Sequence, residues 1–202
     1  MTKVTHIFEF LLPLNKDEFN LANRFAILHK YKTDKSSGFR IKLIKKESLT
    51  HNVMGDVEST TKHLHLHSKI PYIVRQCIPD AACILTEISH YNDSLIHTSY
   101  KNNHFDEEIF QITVETHLTN ENPFPGQEVE VQDLSNGEES IKIFKKVDIE
   151  INNWMMGWIA HEIAKDMKKE LIEHHHIIMR TKEEWKNTNL TELDKLEHEI
   201  FN

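Results

Sequence analysis

Ile141-Lys142-Ile143-Phe144-Lys145-Lys146-Val147-Asp148-Ile149-Glu150-Ile151 alternates apolar and polar residues, the pattern of a strand with one face in a core. Directly after it the period changes. Met156, Ile159, Ile163, Met167, Leu171, His174 and Ile178 recur every three or four residues. They predict one apolar stripe on a long helix from Trp154 to about Arg180. At 1.5 Å per residue such a helix is ~40 Å long. Upstream of this junction, period-two segments recur over roughly residues 57–67, 83–90, 95–100, 109–118 and 129–134. Nearer the start, His6, Phe8 and Phe10 share one face of a strand ended by Pro13. Asp17 and Glu18 then open a helix running to about Tyr31. After a turn at residues 35–38, Ile41 and Leu43 oppose Arg40 and Lys42 on another strand. Asn189 and Glu192 have the spacing of a capping box, followed by Leu193, Leu196 and Ile200 on a last helix. A strand, a helix, many antiparallel strands and a long helix make an α+β chain. One sheet wrapped around the long helix covers that pattern and leaves an interior space.

The 202 residues suit a single domain over 1–202, enough chain to bury roughly 70% of its unfolded surface without a staple. The charge of −8 disfavours nucleic acid, which wants a basic face. No apolar run approaches the ~18 residues of a membrane span, and no signal peptide is expected at the N-terminus. Cys77 and Cys83 form no framework, which suggests a reducing, cytoplasmic setting. A monomer is expected.

Two charged residues fall where the pattern wants apolar ones. In residues 58–67, Thr60, Lys62, Leu64 and Leu66 share a face, and His63, His65 and His67 share the other. If the leucine face is the core face, Lys62 points inward and needs an anion, either a carboxylate of this chain or a ligand. The alternative is a strand-end lysine that snorkels to water. Glu197, four after Leu193 and three before Ile200, lies beside the apolar stripe of the last helix. Its alternative is a boundary position reaching solvent. The fifteen histidines invite a metal reading, but His174, His175 and His176 fan ~100° apart on a helix and cannot converge. No metal and no cofactor are expected, and the histidines are expected to face solvent. No nucleophile elbow, phosphate loop, zincin motif or dinucleotide fingerprint occurs, so an enzyme is not expected.

Ser68-Lys69-Ile70-Pro71-Tyr72-Ile73-Val74-Arg75, with Pro79, Ala82 and Glu87 after it and Thr60, Thr61, Lys62 and His67 before it, resembles the class I phosphatidylinositol transfer proteins. Leu12-Pro13 with Asp17-Glu18-Phe19, Phe105, the Ile112–Thr116 run, Trp185 and the 193–199 helix extend the resemblance over most of the chain. It implies a START-like helix-grip fold, a curved antiparallel sheet around a long C-terminal helix that encloses one phospholipid. The implied function is non-enzymatic exchange of phosphatidylinositol, and possibly phosphatidylcholine, between membranes. By the same resemblance Thr60, Lys62, Asn92 and Glu197 hold the headgroup, with Lys62 on the phosphate and Asn92 placed after a one-residue slip. Ile96 stands where the family has a cysteine associated with choline lipids, and Asn152-Asn153 replaces a tryptophan pair.

Docking on a transient membrane surface is expected to use Ile70, Tyr72, Ile73, Trp154, Met155 and Trp158, whose amphipathic rings suit the headgroup region. Lys42, Lys45, Lys46, Lys145 and Lys146 are expected to assist. The plain alternative for Trp154 and Trp158 is the core of an amphipathic helix. Competing functions are a START-like carrier of another phospholipid or a sterol, a helix-grip hydrolase or cyclase, and a histidine-rich metal buffer.

Overall fold

The computed structural model describes residues 2–35, 40–67, 79–152 and 157–201. Eight strands are found: β1 (Thr2–Leu12), β2 (Arg40–His51), β3 (Gly55–His65), β4 (Ile84–Tyr91), β5 (Leu95–Asn102), β6 (Phe110–Leu118), β7 (Glu130–Asp133) and β8 (Ile141–Ile151). They form one sheet in the order β2-β3-β4-β5-β6-β8-β1-β7. Four helices accompany it: α1 (Lys16–Lys35), α2 (Gly157–Arg180), α3 (Lys182–Lys186) and α4 (Leu190–Phe201). The alternating segments become strands and the stripe becomes α2, so the fold is the expected α+β sheet on a C-terminal helix. All but one pairing is antiparallel; β7 joins β1 in parallel.

Three details depart from the sequence reading. β2 continues past Leu43 to His51, across a register shift between Leu43 and Lys45 that turns Ile44 outward. The 83–90 segment opens with a short 3-10 turn, Asp80–Cys83, and Cys83 is buried. Trp185, on the five-residue α3, is 1% exposed and donates its indole N–H to the Ile178 carbonyl at 2.8 Å. Its neighbours Lys182, Glu183, Glu184 and Lys186 mask it in any hydropathy pattern.

The core lies between the inner face of β6, β8 and β1 and the helices. Phe8, Phe10 and Leu12 alternate into it from β1, and Ile143, Val147, Ile149 and Ile151 from β8. α2 meets them through Ala160 and Ala164, both essentially inaccessible, while Ile159, Ile163, Met167 and Leu171 flank the seam. Small side chains there let the helix axis approach the sheet closely, and the larger ones fill the sides. A small second cluster, Ile7, Phe124 and Phe144 with Val129, seals the outer face beneath the 122–129 loop. The capping box is present in both directions: the Glu192 N–H donates to Asn189 Oδ1 at 3.0 Å and the Asn189 N–H to Glu192 Oε2 at 2.9 Å.

Trp185→Ala removes the largest fully buried side chain together with its hydrogen bond. It is expected to cost about 3–5 kcal/mol, read as a drop in the urea midpoint at unchanged m-value.

Candidate functional site

The inner face divides by composition. Over β1 and most of β6 and β8 it is apolar; on β3 and β4, and at Thr116 of β6 and Lys145 of β8, it carries polar side chains that are nonetheless buried. Register sets them in rows across the sheet. One row runs Leu43, Lys62, Glu87, Tyr100, Ile112, Ile149. The next runs Lys46, Thr60, Ser89, Thr98, Val114, Val147. A third runs Glu58, Tyr91, Ile96, Thr116, Lys145, Phe8. Thr60, Lys62, Glu87, Ser89, Thr116 and Lys145 are all buried. A packed core would place leucines here, so this half of the interior is built for something other than core packing.

Lys62 does point inward, as its strand phase predicts, and its anion is a carboxylate of this chain. Nζ donates to Glu87 Oε1 at 2.9 Å across the β3–β4 ladder. Burial works against the ammonium, but Tyr31, Glu87 and Glu197 outweigh it and hold Lys62 above the ordinary lysine range. The Tyr31 and Phe201 rings flank Nζ, with centroids at 5.8 and 5.9 Å.

Glu197 also faces the interior, from α4. Arg24 on α1 donates to it and, at 2.5 Å, to Asp194 Oδ1, while Lys46 Nζ reaches the same Glu197 carboxylate at 3.2 Å. Burial would raise Glu197, yet the Arg24 hydrogen bond and the Lys46 charge hold it below the usual carboxylate range. Glu197 is thus the bolt that fastens α4 over α1 and β2.

Asn92 is occupied elsewhere. Its Oδ1 accepts the N–H groups of Ser94 and Leu95 and its Nδ2 donates to the Met54 carbonyl, so the amide builds the β4–β5 turn. The inward position beside it belongs to Tyr91, opposite Glu58 on β3. Burial raises the Tyr91 phenol, with Lys46, Glu58, Glu197 and Arg24 all near enough to act on it. The open cleft of ≈790 Å³ at this end of the sheet is lined by Tyr91, Asn92 and Glu58, among others.

Lys145 corrects an expectation. Read as a surface cation, it is 6% exposed, and Nζ donates to Thr116 Oγ1 at 3.0 Å with no carboxylate partner among the described residues. Burial lowers it to about 8. The alternating pattern of β8 carried that signal, because Lys145 shares the phase of Ile143, Val147 and Ile149. Lys46 likewise faces inward, and Lys146 is paired to Asp148 at 2.8 Å.

The histidines of α2 do not all face solvent either. His175 is fully buried and stacks on Phe10 with ring centroids 3.7 Å apart. Its Nδ1 donates to the Leu171 carbonyl at 2.8 Å, leaving Nε2 a buried acceptor without a partner. His174 meets Asn23 Oδ1 at 2.8 Å. Burial, with the charge of Lys145 next, lowers both imidazoles, His174 to about 3. No group of three metal-ligating side chains occurs among the described residues.

Of the expected docking residues, Ile70, Tyr72, Ile73, Trp154 and Met155 lie outside the described residues. Trp158 is 60% exposed at the start of α2, which removes the reading that places it in the core. No helix among the described residues is long and apolar enough to cross a membrane.

Residues 3–140 match the phosphatidylinositol transfer protein family. The chain belongs to that family. The matched span runs from the second residue of β1 through β7 and includes Thr60, Lys62, Glu87 and Thr116. Among solved structures the chain is similar to the crystal structure of Ara h 8.0201, at 12% identity over 87% of this chain and 94% of that one, with a TM-score of 0.40. It is also similar to the crystal structure of TTHA0849 from Thermus thermophilus, at 11% identity over 90% and 96%, with a TM-score of 0.43. A search of curated proteins gives no match.

Two stability predictions follow from the buried bases. The folded chain keeps His174 and His175 neutral, whereas the unfolded chain protonates them below about pH 6.5. Stability is therefore complete above that pH and falls as pH drops towards the folded value of about 3 for His174. Each imidazole contributes a loss of about 1.4 kcal/mol per pH unit, measurable as a declining urea midpoint. For Lys145 the cost lies below its folded value of about 8 and vanishes as pH rises to the ordinary lysine range. Lys145→Met is expected to stabilise the ligand-free protein by about 1–3 kcal/mol at neutral pH.

Proposed function

We propose that this family member carries one phosphatidylinositol between the polar half of the sheet and the helices, and exchanges it between membranes without chemical conversion. The observation that carries the reading is Lys145, a buried ammonium with a hydroxyl beside it and no carboxylate. A phosphodiester brings the missing negative charge, and Thr116 and Lys145 supply two donors to it. Lys62 is already matched by Glu87, so a second full negative charge suits it less than a neutral, hydroxylated ring does.

In this arrangement Thr60, Lys62 and Glu197 hydrogen-bond inositol hydroxyls, and Tyr91 takes the position expected of Asn92. Hydroxyls both donate and accept, so they satisfy the ammonium and the carboxylate in one ring. A choline headgroup offers no hydroxyl to these residues. Phosphatidylcholine is thus the second, weaker ligand, held through its phosphate alone.

The acyl chains set the exchange mechanism. Roughly 30 methylenes at ~0.8 kcal/mol each would cost about 24 kcal/mol to expose, so release has to occur at a membrane. Trp158, exposed at the start of α2, enters the headgroup region in this reading, with Ile70, Tyr72, Ile73, Trp154 and Met155 as its expected companions. Opening then requires α4 to leave, which breaks the Arg24 and Lys46 contacts to Glu197 and exposes Leu193.

Transfer of labelled lipids between phosphatidylcholine vesicles tests this. Lys62→Ala is expected to lose phosphatidylinositol transfer and keep phosphatidylcholine transfer, whereas Lys145→Met loses both while remaining folded. A folded wild type that moves neither lipid, or a Lys145→Met variant as active as wild type, overturns the reading. Arg24→Ala, which unbolts α4, is expected to raise the spontaneous lipid off-rate several-fold, read by fluorescence dequenching of a labelled lipid.

A further inference from the structure

The outer face of the sheet carries a second charge pattern, opposite in sign to the chain as a whole. Arg40 and Lys42 alternate outward on β2, directly across from His65 and His63 on β3. Both basic residues are exposed, and none of these four has a carboxylate partner among the described residues. The groups around them are accounted for. On β2, Lys45 pairs with Glu47 at 2.7 Å. His63 faces Thr86 of β4, which in turn faces Lys101 of β5, and Lys101 pairs with Glu107 at 2.5 Å. His65 faces Ile84, and His67 meets Asp80 at 3.0 Å. On a chain of net charge −8, two exposed cations with no neutralising acid, flanked by two imidazoles, form a local positive patch.

The position of the patch says what it fits. Arg40 begins β2 and His65 ends β3, so register puts them at the sheet end where β8 finishes at Ile151. From that same end the chain enters α2 with the exposed Trp158. The patch lies on the outer face and α2 on the inner face. A single partner touching both is broad and flat, and lies across the strand ends. Cations beside an exposed tryptophan match the chemistry of an anionic lipid surface.

The geometry points to Arg40, Lys42, His63 and His65 as a proton-sensitive docking patch for anionic membranes, resting on the carrier reading and adding to it a choice of membrane. In the free protein, burial and then the charges of His63, Arg40, His67 and Lys42 hold the His65 imidazole below its ordinary value. An anionic surface laid over the patch reverses that balance and favours the imidazolium. Docking therefore takes up protons, and binding tightens as pH falls through the histidine range.

Flotation with phosphatidylcholine vesicles, with and without a fifth of phosphatidylserine, tests the patch on the full chain. Wild type is expected to prefer the acidic vesicles, with the preference lost at high salt. Arg40→Gln with Lys42→Gln should weaken that binding about twenty-five-fold at low salt, at roughly a fivefold factor for each cation removed. Binding to the neutral vesicles should not change. His63→Gln with His65→Gln should abolish the tightening between about pH 7.5 and about pH 5.5. Equal binding to both vesicle types, or an Arg40/Lys42 variant that binds as wild type does, overturns the proposal. So does retention on an acidic protein column without vesicle binding, which would assign the patch to a protein partner. Phosphatidylinositol transfer between neutral vesicles, measured alongside, reports on the carrier reading separately.

Discussion

An ammonium enclosed with a threonine hydroxyl and no carboxylate is an unbalanced charge, and much of this fold is arranged around it. Lys145 sits in a strand whose other inward positions are Ile143, Val147 and Ile149, where an apolar side chain would pack without cost. Burial first, and then the charge of Lys145, lower the proton affinity of His174 and His175 on the helix opposite, so those two imidazoles stay neutral bases rather than adding to the positive charge. Among the described residues Lys145 is thus the buried cation that no carboxylate answers. Stability is given up for that arrangement, because an apolar side chain there would pack without desolvating a charge.

The two other charge groupings of the interior are closed by the chain itself. Lys62 and Glu87 neutralise each other across one ladder step, and Glu197 is neutralised by Arg24 and Lys46 from two different elements. These pairs differ in kind. Lys62–Glu87 lies within the sheet and moves with it. The Glu197 contacts join α4 to α1 and β2, so they hold only while the helix is in place. The closure of α4 therefore depends on one carboxylate that two other elements hold. Asp194, on the exposed side of Arg24, adds little by comparison because solvent screens it.

The strands, the long helix and the capped final helix were legible because hydrophobic period reports burial directly. So was the inward direction of Lys62 and Glu197, since each breaks an otherwise apolar phase. Lys145 breaks its phase in the same way, but two adjacent lysines on β8 look like solvated charge until the strand is known to be central in the sheet. Trp185 was beyond reach because a single buried residue among four charged ones has no period. Asn92, expected at the headgroup after a one-residue slip, builds the β4–β5 turn with its amide, while Tyr91 takes the neighbouring inward place, because one residue at a strand end exchanges an inward side chain for a turn-forming one.

The sequence by itself determined the elements, their faces and the presence of charge where a core was due. Each of these depends on residues a few positions apart, and local spacing records them. The tertiary structure alone decided which charges are answered and which is not. Glu87 reaches Lys62 from another strand, Arg24 and Lys46 reach Glu197 from 173 and 151 residues away, and nothing of opposite sign reaches Lys145 among the described residues. Whether a buried charge is neutralised depends on distances of a few ångströms between segments remote in the chain, and no local pattern encodes them.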